Sequence, residues 1–373
     1  MTDVKGYRFI STKRRAREHR RFVVGEGRFA GDINLPGTLH VALVASDLPA
    51  GHILDIDTQE ALAMPGVRSV LTGAELAAAT NPLMIGVDAQ KVRRYPLAVG
   101  VTRYCGEWVA AIVAQTRAQA EDARDVVRVS YEALPFVLDA EAAYQPESPP
   151  VHSDHGSNVL LDKSFVWGDV AADFASAKHR LSYRVRWGRS STVPIETFQV
   201  TASWDPWQEI LDVWASIQMP KFQDQIARAL RIRQNDVRIH YDVDVGGSYG
   251  VKRGIKHTVR AGFLSRHLGV PVQLIEDRLE NMRAGDMHSP ERIFDVELAY
   301  DQDGRIRSMQ MRALDNVGAY AGRAPFQLGK PVGAIVGPYR IGSVAYQGDR
   351  RYDQQGPRGG GAGFWPSTNQ LCD

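Results

Sequence analysis

Tyr241-Asp-Val-Asp-Val-Gly-Gly-Ser-Tyr-Gly-Val-Lys-Arg253 packs three glycines into five positions between two segments of regular character. Asp236–Val245 alternates apolar and polar residues and is rich in Val and Ile, the pattern of a strand. Ile255–Leu268 carries apolar residues at helical spacing and meets Gly269, a residue that ends helices. Strand, glycine turn and helix in that order aim backbone N–H groups at an anion, because glycine tolerates positive φ and close approach. An ordinary glycine turn would use the same residues. The spacing Gly-Gly-x-x-Gly is not the dinucleotide fingerprint, and no acidic residue ends a second strand where a ribose would need one.

Composition removes several classes of function. At 373 residues the chain can form two or more domains. Lys and Arg total 45 against 43 Asp and Glu, a formal net charge of +2, which gives no reason to expect nucleic acid or an acidic membrane as partner. The hydrophobic fraction of 44% is that of a soluble globular protein, and no apolar run reaches the length of a membrane span. Arg14-Arg15 and Arg20-Arg21 are followed by mixed, charged sequence, so no secretory or twin-arginine signal is read. Two cysteines, Cys105 and Cys372, cannot build an iron–sulfur cluster or a structural zinc site. Cys105, beside the apolar run Glu107–Ala114, is expected to be a buried small hydrophobe. The expectation is a reduced, cytoplasmic chain with no metal cluster of its own.

In chain order, Met1–Arg21 is polar and ends in a basic run read as a solvated arm. Strands are expected at Leu39–Ala45 and Val67–Leu71, one long strand or a pair over Arg103–Ala114, and another at Val127–Tyr131. Short helices are expected at Thr58–Met64 and Arg117–Val127. Tyr144–Leu161, with Pro146, Pro149 and Pro150, reads as a connector, and its His152 and His155 as solvated loop residues rather than a metal pair. Beyond it come a helix at Ala171–Ala177 and strands at His179–Trp187, Thr197–Asp205 and Glu209–Ala215. A helix at Lys221–Leu230 and a strand at Val272–Glu276 follow. Arg292–Tyr300 and Ile306–Asp315 form a hairpin around Asp301-Gln-Asp-Gly304. After Val336 the chain reads as loop, closing on the glycine-rich Arg358–Gly363. Tyr95, Trp108, Trp187, Trp207 and Trp214 are expected as core or interface aromatics.

Several short pieces, in this order, carry a resemblance. The first group is Gly25-Glu-Gly-Arg-Phe-Ala-Gly-Asp-Ile33, Pro65-Gly-Val67 with Leu71-Thr-Gly73, Tyr104-Cys-Gly-Glu-Trp-Val-Ala-Ala-Ile-Val113 and Val129-Ser-Tyr-Glu-Ala-Leu-Pro135. The second is Ser216-Ile-Gln218, Asp244-Val-Gly-Gly-Ser-Tyr-Gly250, Glu276-Asp-Arg278 with Glu280-Asn-Met282, and Gly337-Pro-Tyr-Arg-Ile341. From about Val23 to Phe364 the chain resembles the N-terminal half of the molybdenum-binding large subunit of the xanthine dehydrogenase/aldehyde oxidase family. The resemblance implies an α+β fold: a polar arm (1–22), an α/β-hammerhead domain (23–143), a connector (144–160) and the first molybdopterin-binding α+β domain (161–373). That second domain is expected to be incomplete without a partner chain.

Carried over residue by residue, the resemblance implies that Gln218 hydrogen-bonds an oxygen ligand near molybdenum. Ser248, Tyr249 and Gly250 would sit beside the metal and the pterin dithiolene, with Gly246 and Gly247 letting backbone approach. Neutral donors suit an anionic cofactor. Gln218 as a cap on the following helix stays open, as does Glu196 as a structural carboxylate rather than a positioning one. Two departures stand out. Gly246-Gly-Ser-Tyr-Gly250 replaces the family's Gly-Gly-Gly-Phe-Gly, and Arg253 stands where purine-oxidising members carry a substrate-binding glutamate. Ala362 aligns with an arginine of many members. No residue of this chain is assigned as the catalytic base, since the family's glutamate falls downstream of Asp373, and none as a direct metal ligand.

The implied activity is water-dependent hydroxylation of an aromatic N-heterocycle or aldehyde. The implied cofactor is molybdenum–molybdopterin in its cytosine dinucleotide form. A second half of the large subunit, an FAD subunit and a 2Fe–2S subunit are the implied partners. The competing reading is a non-catalytic binding or assembly protein, or a truncated remnant of the family, which Arg253 and Ala362 favour.

Overall fold

The computed structural model describes residues 16–84, 92–190, 193–218, 222–283, 291–320 and 331–355. Ala362, the Gly361–Phe364 segment and Cys372 lie outside them. Three sheets organise the chain. The largest has seven strands, in spatial order Val237–His240, Ile210–Ala215, Gln199–Asp205, Val272–Ile275, Leu39–Ala45, Trp108–Ala114 and Val67–Thr72. Leu39–Val41 pairs in parallel with Val272–Leu274. The early and late parts of the chain are therefore joined by backbone hydrogen bonds, not merely packed together. One core follows the sheet across the join, with Leu43, Leu71, Trp108 and Val113 sharing a cluster with Val200, Leu211, Phe222, Val259 and Leu264.

The five-stranded sheet runs Val159–Trp167, Ser343–Arg351, Ile306–Asn316, Glu291–Tyr300 and His179–Trp187. Its central hairpin matches the expected turn, where Gly304 takes positive φ and its N–H bonds the Asp301 carbonyl. A three-stranded sheet of Val101–Thr102, Gly51–Asp57 and Arg128–Ala133 flanks the first part of the chain.

Sequence and structure differ at identifiable points. Ser343–Arg351, read as loop, is an inner strand, parallel to Ile306–Asn316 and antiparallel to Val159–Trp167. Its Gly-Asp-Arg-Arg end is polar because Asp349 and Arg351 are buried with charged partners rather than in an apolar layer. Asp236–Val245 yields only the strand Val237–His240, because Asp244 bonds the N-terminal segment instead of the sheet. Arg103–Ala114 is broken by a turn at Tyr104–Gly106, where Gly106 holds φ +97° and its N–H bonds the Ser46 carbonyl. Cys105 sits on that turn and is exposed, its Sγ 3.2 Å from the Arg283 guanidinium, so it is no core hydrophobe. His152 is buried rather than solvated, and Trp207, at the tip of a turn, is 94% exposed while Trp108 is core.

Gly73 opens the helix Gly73–Ala79 behind a Thr72–Glu75 capping box. A Cβ there would lie 1.8 Å from the Ala98 carbonyl oxygen. That backbone is fixed by the Ala98 N–H bond to Trp108, so neither side can yield. Gly73→Ala is expected to cost at least about 3 kcal/mol in urea unfolding, the upper end of overpacking costs. A loss below about 1 kcal/mol would contradict this packing.

Candidate functional site

The loop after Val237–His240 descends past Asp244 into the glycine turn, and the N-terminal segment straps it there. Arg21 makes a bidentate pair with Asp244 at 2.6 and 2.7 Å, and the Arg28 backbone N–H bonds the same carboxylate at 2.8 Å. The Asp244 N–H in turn bonds the Arg28 carbonyl. The Arg21 guanidinium holds the Asp244 carboxyl below its usual range. The end of the basic arm is thus an anchored segment, not a solvated one.

Within the turn, Gly247 and Gly250 take φ of +89° and +93°, and Tyr249 takes +49°, unusual for a side chain of that size. Gly246 admits nothing larger, since a Cβ would sit 2.6 Å from the Glu196 Cβ. The Gly246 N–H donates to Glu196 Oε2 at 2.6 Å, and the same oxygen pairs with Lys252 Nζ. Both side chains are buried. Burial pushes the Lys252 ammonium down and Glu196 opposes it. Arg278 holds the Glu196 segment from behind, donating to the carbonyls of Pro194 and Ile195 at 2.8 and 2.7 Å. Glu196 Oε1 is buried without a hydrogen-bond partner among the described residues.

Gln218 follows the strand Ile210–Ala215. Its N–H bonds the Lys252 carbonyl at 2.8 Å, which sets it beside the turn. Its Oε1 accepts from Ser248 Oγ at 2.7 Å and from Arg253 Nε at 3.3 Å. The amide is thereby oriented, and its Nε2 donor has no described acceptor. Among the described residues the backbone N–H groups of Ser248, Tyr249 and Gly250 also lack acceptors, whereas their neighbours Gly247, Val251, Lys252 and Arg253 are bonded within the turn or to Ser248. Three successive N–H groups without a described acceptor, beside the Gln218 amide and the Arg253 guanidinium, are the neutral and cationic donors that suit an anion. Tyr249 is 57% exposed.

The structure therefore brings Gln218, Gly246, Gly247, Ser248, Tyr249 and Gly250 together, with Arg253 and Glu196 alongside. Lys252 was missed. Its signal was a lysine set among Val251 and Ile255, a position that needs a buried partner.

Behind the turn, the helix Lys256–Leu268 buries Lys256, His257 and Arg260 beside Glu276. Both cations lie over the Trp108 ring, at 4.5 and 4.6 Å from its centre. On the far flank, His152 donates Nε2–H to the Ala319 carbonyl at 2.6 Å and is held to about 3, by burial first and then by the Arg103 charge. Its folded pKa lies below its unfolded one, so its contribution to stability is full above about pH 6.5 and is lost as pH falls toward 3. Wild type is expected to lose about 2 kcal/mol more between pH 7 and 5 than His152→Gln. Parallel losses in the two proteins, measured by urea unfolding, would refute this.

Comparison with known proteins agrees in order and extent. Residues 24–135 match the aldehyde oxidase and xanthine dehydrogenase a/b hammerhead domain, and residues 151–367 match the molybdopterin cofactor-binding domain. The chain is 34% identical over 336 residues to 6-hydroxypseudooxynicotine dehydrogenase complex subunit gamma of Paenarthrobacter nicotinovorans, covering 87% of this chain and 42% of that one. It is 33% identical over 312 residues to the nicotine 6-hydroxylase large subunit of the same organism, covering 81% and 37%. The crystal structure of quinoline 2-oxidoreductase from Pseudomonas putida 86 superposes with a TM-score of 0.85 at 32% identity, over 92% of this chain and 44% of that one. The chain thus spans less than half the length of these relatives. With a hammerhead match followed by a cofactor-binding match over most of its length, this chain belongs to the aldehyde oxidase and xanthine dehydrogenase family.

Proposed function

We propose that this chain supplies one wall of the molybdopterin site in a molybdenum hydroxylase acting on an aromatic N-heterocycle. The observation that carries this reading is the run of N–H groups at Ser248–Gly250 without described acceptors, next to the Gln218 amide that Ser248 Oγ holds. An anionic pterin dithiolene needs neutral donors at close range; Gly246 and Gly247 serve the turn itself, leaving room for Glu196 and Pro194 behind it. Gln218 and the three N–H groups would hold the cofactor; Glu196 and Lys252 would keep their turn in place. When bound, the cofactor supplies the oxygen transfer and two-electron chemistry. Arg253 brings a cation where a purine-binding carboxylate would stand, which disfavours purines. The relatives named for nicotine and quinoline motivate an N-heterocycle over an aldehyde.

The general base would come from a second half of the large subunit, continuous with this sequence or separately encoded. The five-stranded sheet supports such a partner. Register places Trp167, Val344, Met309, Leu298 and Leu181 in one row, and Phe165, Tyr346, Met311, Val296 and Tyr183 in the next. The inner members of this apolar face are covered, while Phe165, Trp167, Leu181 and Tyr183 at its edges are exposed. FAD and 2Fe–2S subunits would remove electrons, and the cofactor would carry a cytosine dinucleotide tail. No helix among the described residues is long and apolar enough to cross a membrane, and we place the complex in the cytoplasm.

Affinity purification from the native host, with molybdenum, pterin, iron and flavin analysis, tests the whole reading. Molybdenum and a pterin recovered with the second half and electron-transfer subunits support it. A folded protein isolated without either cofactor element or partner would favour the binding or remnant reading instead.

A further inference from the structure

A cavity of about 500 Å³ lies between the helix Gly73–Ala79, the Val92–Val99 segment and Tyr320, and none of its walls belongs to the glycine turn. Val92, Tyr95, Leu97 and the Tyr320 ring give it apolar and aromatic walls, and Arg103 lines it with Arg93. The volume is that of a site for a small organic molecule.

The bonding of Arg103 decides the chemistry. The buried carboxylate Glu107 acts on its guanidinium by charge but is hydrogen-bonded to other donors. Its Oε1 accepts from Tyr320 O–H at 2.8 Å, and its Oε2 accepts from the Arg103 backbone N–H at 2.6 Å. The Arg103 guanidinium is left with long contacts to the Val101 carbonyl at 3.3 Å and the Tyr320 oxygen at 3.5 Å. Its Nε–H is buried with no acceptor at all among the described residues. A part-buried guanidinium whose described acceptors lie at 3.3 and 3.5 Å, on the wall of a roomy cavity, suits a carboxylate, which accepts from two N–H groups at once. Asp154 also lines the cavity, so a second negative charge on the ligand would be repelled. Val92, Tyr95, Leu97 and Val99 supply the apolar part of the lining, against which a flat ring can lie.

From this geometry we infer a second ligand site, for a one- or two-ring aromatic monocarboxylate whose carboxylate meets Arg103 and whose rings fill the apolar end. The inference does not rest on the cofactor reading above.

Isothermal titration of the full chain with 2-naphthoate, and with 2-naphthamide as its neutral counterpart, tests it. Saturable 2-naphthoate binding is expected, weaker by at least about tenfold for the amide and for Arg103→Met. Because Arg103→Met could also disturb folding, Ala77→Trp provides an independent variant. It fills the cavity from the helix side, leaves the charged groups in place, and is expected to abolish binding. Absence of saturable binding to wild type, equal binding of acid and amide, or undiminished binding by Ala77→Trp would overturn the proposal.

Discussion

Glu276→Ala is expected to destabilise the protein by about 3–5 kcal/mol, the cost of leaving buried charges uncompensated. Glu276 is fully buried just past the strand Val272–Ile275. Its Oε1 pairs with His257 Nε2, while Oε2 accepts from Asn281 Nδ2 at 2.6 Å and from the Phe198 N–H at 3.4 Å. Burial pushes this carboxyl up, yet His257, Asn281 and Lys256 outweigh burial and hold it below its ordinary value. His257 is driven the other way, lowered by burial against the pull of Glu276. Lys256 and Arg260, nearly or wholly buried over Trp108, draw on the same field. Removing the carboxylate therefore weakens five groups at once. Glu276→Gln keeps an acceptor for Asn281 and should lose roughly half as much. Urea unfolding of both variants gives the answer, and an alanine variant within about 1 kcal/mol of wild type would show that the cluster is not held by this charge.

The second large effect belongs to Glu196. Glu196→Ala leaves Lys252 buried without its carboxylate and the Gly246 N–H without its acceptor, a loss of about 3 kcal/mol. Because those two contacts fix opposite ends of the glycine turn, the loss should also appear as proteolytic nicking within 241–253. Glu196→Gln retains an acceptor for Gly246 and separates the two contributions. Adding Lys252→Met to Glu196→Gln removes the stranded cation and is expected to recover most of the stability lost by the single substitution. A double-mutant cycle reads that coupling directly. Additive losses, with no coupling above about 0.5 kcal/mol, would mean the pair does not act as a unit.

These two clusters show what could be read from the sequence and what could not. The hairpin around Asp301–Gly304 and the helix ending at Gly269 were legible because the deciding residues are neighbours in sequence. The glycine turn around Ser248–Gly250 was legible for the same reason, and the nearness of Gln218 to it only through resemblance. Glu196 and Lys252 meet across 56 positions, and neither has a local pattern to announce the other. Cys105 misled because an apolar run follows it directly, whereas its own exposure is set by a turn that Gly106 allows. Ser343–Arg351 misled because charge pairs, not alternating apolar residues, satisfy its inner position in the sheet. Periodicity reports burial against apolar neighbours, and it is silent where a strand is buried against charge.

The strap between Arg21 and Asp244 also sets an order of events in the cell. The arginine is translated first and its partner follows 223 positions later. At about 5–20 residues per second, the ribosome spends roughly 10–45 s between the two. Throughout that interval the arm has nothing to close upon, and Leu39–Ala45 likewise waits for Val272 to supply its parallel neighbour. The nascent chain therefore carries an unpaired strand edge throughout that interval, and the glycine turn gains its strap only after that wait. A cofactor seated on that turn would be loaded after synthesis of this segment, not during it.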